Sequence, residues 1–408
     1  MSQNTQNQMP NPQQGAPGYM YSAVPPQQGQ QPQAVPQPVP QQGYAYVPTQ
    51  PAVAYNPYQY PNGYPIYPTN PYYYDPELAR KEYEKRLQVE KAKQSLRFLG
   101  NMAGLSIILF LLFNTVMSAV LSNESIMNLY RTNPVFSSAF SIVSSFVYLF
   151  IPFSIIALLT RTKEKNVNFF PFKKMHKKRA LLCLPVGATV FIAANVVTNY
   201  IINIAESFGY TLSQQSDVLS EPKTPFALLM ALLGTAVMPA LLEEYSLRGV
   251  ILQPARKYGM LFSIISSSVI FGLMHGNLIQ APFAFMVGMC FGYFAIKCDS
   301  LWIAVILHFM NNGFSVLMSY LGEKMPEASY NLLYYIIVCA VAVAGVICFV
   351  TLVFTDKEFL KKEDGDIAGE EAKLLSAGQK FVAYFVNVPM ILSFLAMLLL
   401  TAQYVVKK

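Results

Sequence analysis

Nine stretches of this chain come close to the length of a bilayer-crossing helix and carry almost no charge. They fall at about 99–121, 135–160, 180–204, 226–248, 259–279, 281–297, 301–321, 331–355 and 381–404. A helix needs roughly 20 apolar residues to cross the hydrocarbon core, so the pattern predicts an all-α fold, a polytopic transmembrane helix bundle of about 8–9 spans. The fifth and sixth runs also fit a re-entrant or broken pair. Residues 76–97 mix Glu, Lys and Arg with scattered Leu and Tyr, which predicts a charged helix leading into the membrane. Residues 1–74 hold no charged residue and consist largely of Pro, Gln, Tyr, Asn and Gly. Such a composition cannot bury a core and predicts a disordered N-terminal tail with polyproline II character.

The expected organisation follows. Residues 1–75 form a Pro/Gln/Tyr-rich tail, 76–98 a juxtamembrane helix, and 99–179 a transmembrane pair with a basic loop. Residues 180–321 form a transmembrane core and 322–408 a C-terminal transmembrane pair. Eight Lys or Arg and one Glu lie between Arg161 and Arg179. Basic loops face the cytoplasm and favour anionic lipid. Loops 122–134, 206–224 and 322–330 are poor in Lys and Arg, so alternation predicts a cytoplasmic N-terminus and an external C-terminus. No internal repeat stands out, which gives an inverted-repeat transporter no support.

Composition sharpens this picture. Hydrophobic residues make up 53% of the chain and charged residues only 12%, against about 25% charged in ordinary soluble domains. The bilayer is therefore an expected partner, and nothing in the pattern points to nucleic acid. Cys183, Cys290, Cys298, Cys339 and Cys348 all lie in or beside apolar runs without metal-ligand spacing, and read as small buried hydrophobes. Gly288 and Gly292 form a G-x-x-x-G, read as close helix packing.

Against that apolar background a few polar residues carry the chemistry. The fourth run reads Met238-Pro-Ala-Leu-Leu-Glu-Glu-Tyr-Ser-Leu-Arg-Gly249. A charged side chain at the bilayer centre costs about 2.5–3.5 kcal/mol on insertion scales, so such groups face one another, a cavity or a substrate. Glu244 and Arg248 are four apart and can pair on one helix face. Glu243 points about 100° away, free to face a cavity. Pro239 frees one backbone carbonyl beside them. In the fifth run Phe271 and His275 share a face, and in the seventh His308 and Asn312 do. Imidazole exchanges protons near neutral pH, a carboxylate can deprotonate water, and an amide can donate to an oxyanion. These parts suffice for hydrolysis of an amide by water.

Glu243-Glu244-x-x-x-Arg248, Phe271-x-x-x-His275 and His308-x-x-x-Asn312 resemble, in order and spacing, the three motifs of the CPBP family. That family comprises CAAX prenyl endopeptidases and bacterial Abi-type intramembrane metalloproteases. Gly249 also matches, whereas Ser246 and Leu247 stand where an aromatic is common. The resemblance covers roughly 180–321 and implies a catalytic transmembrane core there. It implies that Glu243 and His275 activate the attacking water, that His308 and Asn312 stabilise the oxyanion, and that Glu244 and Arg248 hold the geometry. It raises zinc as a cofactor: Glu243, His275 and His308 suit Zn²⁺ by residue type, though their spacing is not that of H-E-x-x-H enzymes. The implied partner is a membrane-associated protein or peptide substrate, and the implied location a bacterial cell membrane. The motifs fit equally a non-catalytic relative acting in bacteriocin immunity or as a membrane scaffold; a transporter is a third reading. Gly313-Phe314-Ser315 is a G-x-S of the rhomboid kind, but no His follows Ser315.

Counting along the predicted spans puts Glu243 and His308 roughly 8–10 Å from the inner ends of theirs and His275 roughly 24 Å from its own. Either a helix overruns its predicted end or a break near Gly272 or Gly276 closes that gap.

Overall fold

The computed structural model describes residues 75–213, 222–361 and 369–407. The tail expected over 1–74 lies outside the described residues. The rest is helical apart from one small strand pair. α1 spans Pro76–Leu121 and joins the charged segment and the first apolar run in one continuous rod. A short α2 (Glu124–Thr132) leads to α3 (Pro134–Arg161), α4 (Lys177–Ser207) and α5 (Pro225–Tyr258). Then come α6 (Met260–Met274), α7 (Gln280–Lys297), α8 (Trp302–Gly322) and α9 (Glu327–Thr355). The chain closes with α10 (Ala377–Phe385) and α11 (Val388–Ala402).

The helix starts follow from local chemistry. Asp75, Asn123, Asn133, Thr224 and Asn387 each place a side-chain oxygen on the free N–H groups of the first turn. Proline follows within two residues in four of these, α1, α3, α5 and α11, where its missing N–H costs nothing.

Six helices, α1, α3, α4, α5, α8 and α9, are long and apolar enough to cross a bilayer, and the α10–α11 pair, bent by 75°, makes a seventh if counted as one span. The chain is a multi-pass membrane protein. The fifth and sixth apolar runs become α6 and α7, which do not reach that standard; α6 has only 15 residues. They form a tight hairpin whose turn, 275–279, falls inside the predicted fifth run. α7 packs on α4 as well as on α6, while α1 packs on α3 and on α10 and α11. Strands Tyr210–Leu212 (β1) and Val405–Lys407 (β2) pair antiparallel, Tyr210 opposite Lys407. That pairing joins the C-terminal strand to the segment after α4.

One ion pair ties three helix ends together. Arg179, in the first turn of α4, donates from Nε and Nη2 to the carboxylate of Asp356, just past α9, the latter bond at 2.9 Å. Its Nη1 donates to the Lys297 carbonyl at the end of α7. The Arg179 guanidinium holds the Asp356 carboxyl below the usual carboxylate range. Asp356→Asn is therefore expected to lower stability by about 1–2 kcal/mol near neutral pH, read from thermal unfolding of solubilised protein. Because the folded carboxyl is held low, its contribution is full above the unfolded pKa of about 4 and fades as pH falls further. A stability gap that stays constant down to about pH 2 would rule this clamp out.

Candidate active site

The site is built on α5, α6, α7 and α8, and α5 shows how. Two of its stretches, Leu232–Val237 and Tyr245–Leu252, are π-helical. Each ends two residues before a proline, Pro239 and Pro254. α3 repeats the arrangement, with a π turn at Phe146–Phe150 before Pro152. Proline has no N–H for the carbonyl four residues back, and its ring crowds that carbonyl. Widening the preceding turn relieves the crowding and leaves a carbonyl in need of a donor. Pro239 leaves the carbonyl of Thr235 in that position, and Asn312 Nδ2 donates to it at 3.2 Å. Asn312 Oδ1 in turn accepts from Asn311 Nδ2 at 3.0 Å. One N–H of the Asn312 amide remains for other use.

Between the two wide turns lies Met238–Glu244, which carries the acids. Glu244 Oε1 accepts from Arg248 Nη1 at 3.0 Å and pairs with His308 Nδ1 at 2.9 Å. The Glu244 and Arg248 side chains are both 0% exposed. Arg248 Nη2 donates to the Gly288 carbonyl of α7 at 3.1 Å. Its guanidinium carbon lies 4.7 Å from the Phe271 ring centroid and 5.3 Å from that of Phe291. Desolvated cation–π contacts of this kind are worth up to about 2 kcal/mol. Phe291 also stacks on His308 at 5.5 Å. Two aromatic rings thus sheathe the guanidinium and the imidazole together.

Glu243 faces the other nitrogen of the same imidazole. Its Oε2 lies 3.7 Å from His308 Nε2, and 22% of its side chain is exposed. The adjacent acids therefore occupy different environments, one sealed in a pair with arginine and one partly open.

His275 sits at the end of α6. Its own N–H bonds the Gly272 carbonyl, and Gly276 at φ +64° turns the chain away in a conformation glycine adopts without strain. That tightened last turn leaves the Phe271 carbonyl to the His275 ring, whose Nδ1 lies 2.8 Å from it. A carbonyl only accepts, so Nδ1 carries the proton and Nε2 is left bare in the neutral ring. The Phe271 ring lies 5.0 Å from the His275 ring and 6.0 Å from the His308 ring. The two imidazoles therefore flank one phenyl ring and are no further apart than those two distances combined.

Residues 225–314, from the first residue of α5 into α8, match the family model described as Rce1-like, type II CAAX prenyl endopeptidase. Over that segment the chain is similar to the CAAX-protease family. No curated protein and no solved structure matches it. The match contains all six residues singled out from the sequence and leaves α1–α4 and α9–α11 outside it.

Within the matched segment the depths of Glu243 and His275 agree. α5 continues to Tyr258, so Glu243 and His275 each lie roughly 22 Å along their helices from the turn joining α5 to α6. His308 still meets Glu243, although it is roughly 9 Å from the start of α8, because the helix ends do not share one level. Zinc fits less well. Among the described residues no three His, Cys, Asp or Glu side chains gather into a metal-binding group. The set of Glu243, His275 and His308 suggested by residue type is not formed.

Three contributors escaped the sequence reading. The Gly288 carbonyl holds Arg248, and a Cβ at Gly288 would come within 3.1 Å of both Arg248 Nη2 and the Phe271 ring. Phe291 gave no signal at all. The Thr235 carbonyl was foreshadowed by Pro239, but not its partner.

Removing the cation while keeping the acid is expected to be costly. Arg248→Met leaves a fully buried carboxylate without its guanidinium, a change worth about 3–5 kcal/mol. Thermal or denaturant unfolding reads this, and Arg248→Met combined with Glu244→Gln should recover much of the loss. A single variant as stable as wild type would contradict the pairing.

Proposed function

We propose that this protein is an endopeptidase that hydrolyses a peptide bond of a membrane-associated protein or peptide, using a water activated by Glu243 and His275. The observation that carries the reading is the bridging of two unlike carboxylates by His308, with Nδ1 on sealed Glu244 and Nε2 towards partly open Glu243. Glu243 takes a proton from water as the oxygen attacks the substrate carbonyl. His275, its Nδ1 committed to the Phe271 carbonyl, offers Nε2 to orient that water. The tetrahedral oxyanion receives hydrogen bonds from His308 Nε2–H and from the remaining N–H of Asn312. When the C–N bond breaks, Glu243 returns its proton to the departing amine. Atoms and charges then balance.

The assignment sets a charge requirement. To donate from Nε2 while Nδ1 holds Glu244, His308 must be protonated on both nitrogens. Glu243, Glu244, Arg248 and His308 then sum to zero charge, the arrangement a low-dielectric site favours. Glu244 and Arg248 act as positioning residues, fixing the ring that meets the oxyanion.

Glu243→Ala and His275→Ala are expected to lower cleavage of membrane-anchored peptides by at least about 100-fold, the usual contribution of a general base. Their unfolding midpoints should stay near wild type, since neither side chain is sealed in the core. The assay uses purified protein in detergent with anchored peptides drawn from its own membrane. Cleavage by Glu243→Ala at the wild-type rate removes this function.

A further inference from the structure

A cavity of about 610 Å³ opens between α4, α8 and α9, with Leu232 of α5 also on its wall. Its lining is mainly apolar, including Phe191, Phe314 and Tyr334, yet three asparagines face it: Asn195, Asn199 and Asn311. Asn195 and Asn199 are four apart, one above the other on α4. Amides in a membrane-embedded wall are costly unless something satisfies them. Asn195 Nδ2 donates to the Phe191 carbonyl at 3.0 Å, while its Oδ1 and both groups of Asn199 find no partner among the described residues. Across the cavity, Asn311 Nδ2 gives one N–H to Asn312, leaving its second N–H and its Oδ1 for other partners.

The cavity adjoins the site. Asn311 is one residue from Asn312 and hydrogen-bonded to it. Phe191 meets Phe291 edge-on at 5.8 Å, and Phe291 is the ring stacked on His308. An occupant therefore needs an apolar body, a repeating set of amide donors and acceptors, and one end directed at His308 and Asn312. A lipid chain has the first of these and lacks the second. An extended apolar peptide has all three, because its side chains match the apolar lining and its backbone amides match the asparagine side chains.

We propose that this cavity docks the apolar segment of the substrate next to the scissile bond in extended form, with Asn195, Asn199 and Asn311 hydrogen-bonding its backbone. This rests on the endopeptidase reading and names the form in which the substrate is held. The asparagines are specificity-determining residues, not catalytic ones.

Binding tests it without cleavage. Full-length Glu243→Gln protein in nanodiscs of neutral phospholipid is titrated with a fluorophore-labelled Leu/Ala-rich peptide, and with the same peptide N-methylated at alternate amides. N-methylation keeps the apolar body and removes donors. The expected result is at least about tenfold weaker binding of the methylated peptide, the size of one or two lost hydrogen bonds. Asn195→Leu with Asn199→Leu should weaken the parent peptide to the same level and leave the methylated one unchanged. The wild-type comparison of the two peptides stands alone if that variant does not fold. Equal affinity for both peptides, no binding of either, or full displacement by a long-chain alcohol would overturn the proposal and, in the last case, make the cavity a lipid slot. Selective binding of a peptide that active protein never cleaves would leave the docking intact and count against the endopeptidase reading alone.

Discussion

A single carboxylate oxygen, Glu244 Oε1, holds both Arg248 and His308, and the site is arranged around that contact. Such a contact is costly in a bilayer unless its neighbours shield it, and here Glu244 Oε2 and Arg248 Nε stay without a hydrogen-bond partner among the described residues. α7 supplies a carbonyl to the far end of the guanidinium, and Phe271 and Phe291 cover its faces. The result is a fixed imidazole on α8 whose second nitrogen is turned towards Glu243. The neighbouring glutamates are thereby separated in role by environment, although they are adjacent in sequence. One is a structural anion buried with its cation. The other keeps part of its surface open.

The irregular backbone serves the same end. A membrane helix with prolines must find donors for the carbonyls they abandon. α5 meets this need by widening before Pro239 and by lending the freed Thr235 carbonyl to Asn312. One amide thus fastens α8 to α5 and keeps an N–H over. His275 follows a related rule, because its ring takes the carbonyl that the tightened end of α6 leaves free. In both places a side chain takes up a carbonyl that the local backbone leaves free.

Much of this was legible in the chain. The apolar runs marked both ends of α3, α4, α8 and α9 to within four residues, though not the start of α1 or the end of α5, and the four-residue spacing of Glu244 and Arg248 foretold their pair. Pro239 announced a free carbonyl. What stayed hidden was either long-range or dependent on context. His308 is 64 residues from Glu244 and lands on it because of helix packing, which no local spacing encodes. Gly288 read as a packing glycine, since the same small residue serves a close helix contact and an approaching guanidinium. The fifth and sixth runs read either as two spans or as a re-entrant or broken pair, because apolar length does not reveal where a chain turns back. The apparent mismatch in depth came from treating all helix ends as level, whereas α5 runs on to Tyr258.

The protonation of the His308 ring gives the most direct measurement. With only three histidines in the chain, nitrogen-15 spectra of histidine-labelled protein can be assigned by replacing His176 and His275 in turn. A proton on Nδ1 of His308, lost or exchanging freely in Glu244→Gln, is the expected result. A bare Nδ1 in the otherwise unaltered protein would contradict the pairing from which the proposed chemistry follows.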